Sequence, residues 1–154
     1  MRITIVAVTR RPPAWLRDGA AEYLKRLPPQ FKVELVEVAP VRAASAAQDA
    51  RRREAGRIRA AVPARRRSVA LDERGTHVTS MELAQRLKQW MRQGTDLAFI
   101  IGGANGLDTS VTTSADETWS LSALTLPHGL ARLLLMEQLY RAATIIANHP
   151  YHRG

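Results

Sequence analysis

Apolar positions along this chain switch repeatedly between the alternating or continuous pattern of strands and the three-and-four spacing of helices. Ile3-Thr4-Ile5-Val6-Ala7-Val8 reads as a first strand. After a turn through Arg10 to Pro13, the residues Leu16, Ala20, Tyr23, Leu24 and Leu27 form one apolar stripe. They predict a helix from about Ala14 to Leu27, stopped by Pro28-Pro29. Val33 to Val38 is a second strand, and most of the alanine- and arginine-rich stretch 39–64 reads as a helix ending at Pro63. Ser68 to Leu71 is a short third strand, with a turn expected at Glu73-Arg74-Gly75. Thr79-Ser80-Met81-Glu82 is a capping box, in which hydroxyl and carboxylate satisfy each other's exposed N–H groups. The helix it opens carries Leu83, Leu87, Trp90 and Met91 on one face and closes at Gly94. Leu97 to Ile101 is a fully buried strand, Ser110 to Glu117 a shorter helix, and Leu121 to Leu126 a fifth strand. A final helix, about Gly129 to Ala147, is apolar on more than one side. The alternation predicts an α/β fold with a largely parallel sheet flanked by helices. With no internal repeat and no linker, residues 1–154 are expected to form one domain.

Composition narrows the classes of function. Hydrophobic residues make up 45% of the chain, enough for a packed core. Cysteine is absent, which excludes disulfides, thiolate chemistry and a cysteine zinc site. The histidines (His77, His128, His149 and His152) have no ligand spacing, so no metal is expected. No apolar run is long enough to span a membrane, and the N-terminal residues lack a signal-peptide pattern. A cytoplasmic protein without a membrane partner is expected. The formal charge of +9 favours a polyanionic partner, because neutralised phosphates release counterions. Nine arginines lie between Arg42 and Arg67, clustered as Arg51-Arg52-Arg53 and Arg65-Arg66-Arg67. Two readings stand for that segment: a solvated helix face, or a contact surface for nucleic acid.

Three constellations carry candidate chemistry. Ile100-Ile101-Gly102-Gly103-Ala104-Asn105-Gly106-Leu107 runs a buried strand into a glycine-rich turn, where a ligand can approach the backbone. It matches neither the dinucleotide fingerprint nor a P-loop. Ser120-Leu121-Ser122-Ala123-Leu124-Thr125-Leu126-Pro127-His128 interleaves hydroxyls with aliphatics. It reads as a core strand, or as a loop whose backbone meets an adenine edge between leucines. The tail, Asn148-His149-Pro150-Tyr151-His152-Arg153-Gly154, is either frayed or a grouping of ring, imidazoles and guanidinium suited to a splayed-out RNA base. No serine occupies a nucleophile elbow.

Taken together and in order, these motifs resemble the RlmH family of SPOUT methyltransferases. The likeness rests on Ile-Gly-Gly-x-x-Gly-Leu at 101–107, on Leu-Ser-x-x-Thr-x-Pro-His at 121–128, and on Tyr140-Arg141-Ala142 with His149-Pro150-Tyr151-His152. The N-terminal Ile-x-Ala-Val and Glu22-Tyr23-x-x-Arg26 also fit. The stretch 39–67 departs from it, with alanine and arginine where the family is richer in lysine and glutamate.

The resemblance implies a SPOUT fold with a C-terminal trefoil knot, a threading that ordinary topology rules treat as exceptional. It also implies a homodimer packed through the last helix. S-adenosyl-L-methionine would be held by Leu71, Gly102, Gly103, Leu121, Ser122, Ala123, Leu124, Thr125 and Leu126. Tyr151, His152 and Arg153 would bind the substrate, 23S rRNA within the ribosome, and the product would be a pseudouridine methylated at N3 in the helix 69 loop. That N3–H is a weak acid, so the site needs a base or a group that stabilises the developing anion. His128, His152 and Arg153 are the candidates, and the choice among them stays open. A SPOUT enzyme acting on tRNA would share the fold, and a non-catalytic ribosome-binding factor would share the charge.

Overall fold

Leu97-Ala98-Phe99-Ile100-Ile101 is buried at every position because it is the middle strand of the sheet, covered on both faces. A computed structural model describes residues 1–42 and 46–153. Residues 43–45, inside the stretch expected to be helical, and Gly154 of the tail motif lie outside the described residues. The strands are β1 (Arg2–Val8), β2 (Lys32–Val38), β3 (Arg67–His77), β4 (Leu97–Ile101) and β5 (Glu117–Ser120). The helices are α1 (Ala14–Arg26), α2 (Ala47–Ala61), α3 (Ser80–Arg92), α4 (Thr109–Ser114) and α5 (His128–Ile146), followed by a 3-10 turn at Pro150–Arg153. Strand order is β2-β1-β4-β3-β5, and every neighbouring pair is parallel. The expected parallel α/β sheet is present.

Alternation along β1 divides the core between two faces. Ile3, Ile5 and Ala7 meet Leu83, Leu87 and Trp90 of α3 and Leu135, Met136 and Leu139 of α5. Val6 and Val8 meet Ala55 and Ile58 of α2 and Val111 of α4. Helices α1, α3 and α5 therefore cover one face, and α2 and α4 the other. The capping box forms as expected, with Glu82 N–H donating to the Thr79 hydroxyl and Thr79 N–H donating to the Glu82 carboxylate at 2.7 Å. Among the described residues, no helix is long and apolar enough to cross a membrane. Nor is there a group of three or more His, Cys, Asp or Glu able to hold a metal ion.

Three expectations are corrected. The fifth strand is Glu117–Ser120, not Leu121–Leu126, and α4 ends at Ser114 instead of reaching Glu117. The hydroxyl–aliphatic alternation at 121–126 has the period of a strand. There, however, the Ser122 hydroxyl accepts the Leu124 N–H at 2.9 Å, and Ser120 donates its own hydroxyl to the Ser122 carbonyl. Such local side-chain bonds compete with a sheet ladder. The turn expected at Glu73-Arg74-Gly75 is an irregularity inside a longer β3, whose register against β5 shifts between Leu71 and Thr76. Gly75 permits this, since a Cβ there would lie 2.5 Å from the Trp119 backbone.

Candidate active site

Parallel strands point their C-terminal ends at a common edge, where ligands of α/β sheets bind. Here the ends of β4 and β5, with the irregular middle of β3, surround a cleft of about 590 Å³, a size that suits a nucleoside-sized ligand. One wall is the turn Gly102 to Leu107 beyond β4. The opposite wall is Ser120 to Ser122 and Leu124 to Leu126, with His128 and Ala131 from the start of α5. Leu71, Asp72, Glu73 and Arg74 come from β3, and Arg51 reaches in from α2.

The glycine turn is shaped first by its own packing. A Cβ on Gly102 would stand 2.7 Å from the carbonyl carbon of Gly106. Gly106 N–H closes the turn by donating to the Gly103 carbonyl at 3.0 Å. A Cβ on Gly103 would point away from the cleft, 3.0 Å from Val8 Cγ1 and 3.6 Å from Glu54 Oε2. The reasoning that these glycines clear space for a ligand is therefore amended. Their missing side chains let the turn fold on itself and against β1, and the cleft receives the backbone that results. One α2 side chain braces this turn, and a second lies behind it. Arg51 donates to the Asn105 carbonyl at 3.2 Å. Glu54, only 4% exposed, accepts the Val41 N–H at 3.1 Å, and its second oxygen has no partner among the described residues.

The facing loop is open in a different sense. Among the described residues, 121–126 make no backbone–backbone hydrogen bond, and Leu124 is 76% exposed. Thr125 anchors the loop across the cleft by donating its hydroxyl to Glu73 at 3.3 Å. Backbone groups without backbone partners, set among leucines, suit the edge and faces of a purine ring. Of the expected cofactor residues, the structure brings all but Ala123 onto the cleft wall.

The expected substrate and catalytic residues separate into two places. His128 lies on the cleft. Tyr151, His152 and Arg153 do not, because their 3-10 turn packs at the far end of α5. Tyr151 donates its hydroxyl to Glu137 at 3.2 Å and stacks edge-on to Tyr140 with ring centroids 4.6 Å apart. The Arg141 guanidinium pairs with Glu137 at 2.8 Å and lies 5.1 Å from the centre of the Tyr151 ring. Burial first, then hydrogen bonding with Tyr23 and the nearby Glu137 charge, pushes the Tyr151 hydroxyl up to about 12. The tail is thus docked, not frayed. His152 Nδ1 is buried with no partner among the described residues.

Sequence reasoning missed Arg51, Glu54, Asp72, Glu73 and Arg74 as members of or supports for this site. The arginine cluster marked Arg51 only as a candidate nucleic-acid contact, and Glu54 carried no local signal, since α2 meets the turn only through the fold. Asp72 to Arg74 followed Leu71 directly but read as a turn.

The fold is a single parallel α/β sheet with a ligand-sized cleft at the C-terminal ends of its strands, and the comparisons place it in a family of methyltransferases. Residues 1–152 match the family model described as "Predicted SPOUT methyltransferase", and the chain belongs to that family. Within it, the chain is 50% identical over 156 residues to the "Ribosomal RNA large subunit methyltransferase H" of Burkholderia thailandensis, covering 100% of both chains. It is 47% identical over 154 residues to the protein of the same name from Dechloromonas aromatica, covering 99% of each. Among solved structures, a probable methylase family protein from Haemophilus influenzae Rd KW20 superposes with a TM-score of 0.61 at 16% identity. That match covers 97% of this chain and 69% of the other, and is a likeness of fold.

Proposed function

We propose that this chain uses S-adenosyl-L-methionine to methylate large-subunit 23S rRNA, at N3 of a pseudouridine in the helix 69 loop of the assembled ribosome. The observation that carries the cofactor half is the loop 121–126, whose backbone makes no internal backbone bonds where it faces the glycine turn across the cleft. Leu71, Leu121 and Leu126 would hold the adenine faces, and the turn at Gly102-Gly103 the remainder. The bound cofactor supplies an electrophilic methyl on a sulfonium, so no metal is required. Full-length likeness to proteins named rRNA large subunit methyltransferase H supports the RNA half, as does the charge of +9. A cytoplasmic location and the trefoil threading of the C-terminal segment belong to the same reading.

The protein's own task is to orient the base and manage the N3 proton. On one chain only His128 is at the cleft, at the N-terminal end of α5. The tail folds back on Glu137 and Tyr140, about 13 Å or more along that helix from His128, and forms no part of the cleft wall. A docked tail therefore serves the cleft of a second copy, in a homodimer. There Tyr151 offers a ring, Arg153 a cation, and His152 a ring nitrogen that lacks a partner among the described residues. Stacking on such a ring is worth roughly 1–3 kcal/mol.

The test is to incubate the protein with labelled cofactor and ribosomes lacking this modification, then map the methylated nucleotide. Label on the helix 69 pseudouridine supports the proposal. Label on tRNA alone, or cofactor that fails to bind, replaces it with a tRNA enzyme or a non-catalytic ribosome-binding factor. Deleting Tyr151 to Gly154 should reduce methylation by orders of magnitude while cofactor affinity falls far less. Mixing that truncated chain with a Gly102→Val chain should restore activity, because one mixed dimer site would then be intact.

A further inference from the structure

Helix α2 departs from the rest of the molecule in how its arginines are held. It carries five arginines against two acids over Ala47–Ala61. Elsewhere the paired arginines mostly end on carboxylates: Arg67 on Glu117 at 3.0 Å, Arg132 on Glu37 at 3.2 Å, Arg141 on Glu137 at 2.8 Å, with Arg66 on the Thr4 hydroxyl at 2.9 Å the exception among the described residues. On α2 the acceptors are neutral. Arg51 bonds the Asn105 carbonyl at 3.2 Å, Arg57 the Ala39 carbonyl at 2.6 Å, and Arg59 the Ser110 hydroxyl at 3.2 Å. Arg53 comes no nearer to Asp49 than 3.9 Å, with both side chains about half exposed. From a neighbouring element, Asp108 faces this edge. Hydrogen bonds from Ser110 hold its carboxyl below the usual range, and Arg52 and Arg51 add to that, without an ion pair inside 4.0 Å among the described residues.

The distinction has a physical consequence. A carboxylate partner cancels the charge of a guanidinium, whereas a carbonyl or hydroxyl orients it and leaves the charge intact. An oriented side chain also loses less rotamer freedom when a ligand arrives. Arg51 opens this line of charge at the cleft wall, and Arg59 continues it about 12 Å along the helix axis. Between them Gly56 leaves the exposed face low, since a Cβ there would meet nothing within 4 Å.

We propose that the exposed face of α2, through Arg52, Arg53 and Arg59, binds phosphates of the RNA substrate and leads its backbone to the cleft at Arg51. The inference rests on the RNA-methyltransferase reading above. Each phosphate contact contributes about 0.7 to 0.9 to the slope of log affinity against log salt.

The experiment measures binding of the full chain to ribosomes lacking the modification across a salt series. The variant is Arg52→Gln/Arg53→Gln/Arg59→Gln. Its control, Lys25→Gln/Lys88→Gln/Arg92→Gln, removes the same charge from exposed positions on α1 and α3. The α2 variant should lose a slope of about two and bind on the order of 100-fold more weakly near about 0.1 M salt, while the control keeps the wild-type slope. Affinity for S-adenosyl-L-methionine should be unchanged in both. An unaltered slope in the α2 variant, or an equal loss in the control, overturns the proposal, the latter reducing the effect to net charge. A photoreactive benzoylphenylalanine at position 56, where the surface has room, should crosslink to rRNA. Crosslinks to ribosomal protein alone, or none, also overturn it. The two readings fail separately. A wild-type chain that binds neither cofactor nor ribosome sinks the functional assignment, whereas a competent wild type with an indifferent α2 variant sinks only this inference.

Discussion

The two edges of the one parallel sheet are built on opposite principles. At the N-terminal edge, charges are matched and the first strand N–H groups are capped. Asp96 accepts the Arg2 N–H at 2.7 Å, and Asp116 accepts both the Ser68 N–H at 2.7 Å and its hydroxyl at 3.0 Å. Glu117 gathers Arg67, Arg86 and the Trp119 indole N–H onto one carboxylate. The Ser68 bonds hold the Asp116 carboxyl below its usual range against a burial that raises it. At the C-terminal edge the pattern reverses. Among the described residues, backbone at 121–126 has no backbone partner, one Glu54 oxygen is unmatched, Leu124 is exposed, and Arg51 rests on a carbonyl, although Arg74 pairs with Asp72. Polar groups satisfied within the fold stabilise it, and groups left open are available to a ligand.

The largest effect is expected at the open edge. Gly102→Val would drive its side chain into the Gly106 backbone, 2.7 Å from the Cβ position, and displace the turn. A shift near 1 Å costs on the order of 100-fold in rate. Methylation should fall by at least that much, with cofactor binding lost in calorimetry while circular dichroism stays near wild type. A folded variant with wild-type cofactor affinity would move the site away from this turn. The matched edge should answer in the other currency. Glu117→Ala strands two guanidinium groups and a buried indole N–H, and should cost roughly 2–3 kcal/mol in denaturant unfolding. Its cofactor affinity should hold, and a loss there would show that the two edges are coupled.

What the sequence made legible follows the same division. The capping box, the stripe of α1 and the five buried residues of β4 are local patterns, and each appears where its periodicity places it. The glycine turn and the 121–128 motif were legible as chemistry, and all but Ala123 of the expected pocket residues meet at one cleft. Three things were not. The alternation at Leu121–Leu126 imitates a strand, and only the Ser122 bonds distinguish the loop. Glu73-Arg74-Gly75 looks like a turn because the feature that keeps it in β3, contact with the Trp119 backbone, is distant in sequence. Arg51 enters the site across 54 residues through Asn105, a pairing that no local pattern encodes. The tail's composition suggested RNA contact, and the structure docks it on Glu137 and Tyr140.

The smallest effect probes whether α2 belongs wholly to the open edge. Gly56 is exposed in the middle of a helix, and a Cβ there meets nothing within 4 Å, so no packing among the described residues explains it. Glycine at such a position weakens a helix by about 1 kcal/mol relative to alanine. Gly56→Ala should therefore stabilise the protein by up to that amount, raising Tm by about 2–4 °C for a chain of this size. Thermal unfolding monitored at 222 nm reads it directly. Because alanine adds only a methyl group, the salt slope for ribosome binding should stay at the wild-type value. A gain in stability with an unchanged slope places α2 with the edge that gives up stability while its arginines bind. A fall in Tm would mean that the glycine is held against something outside the single chain, and α2 would then belong to an interface between copies.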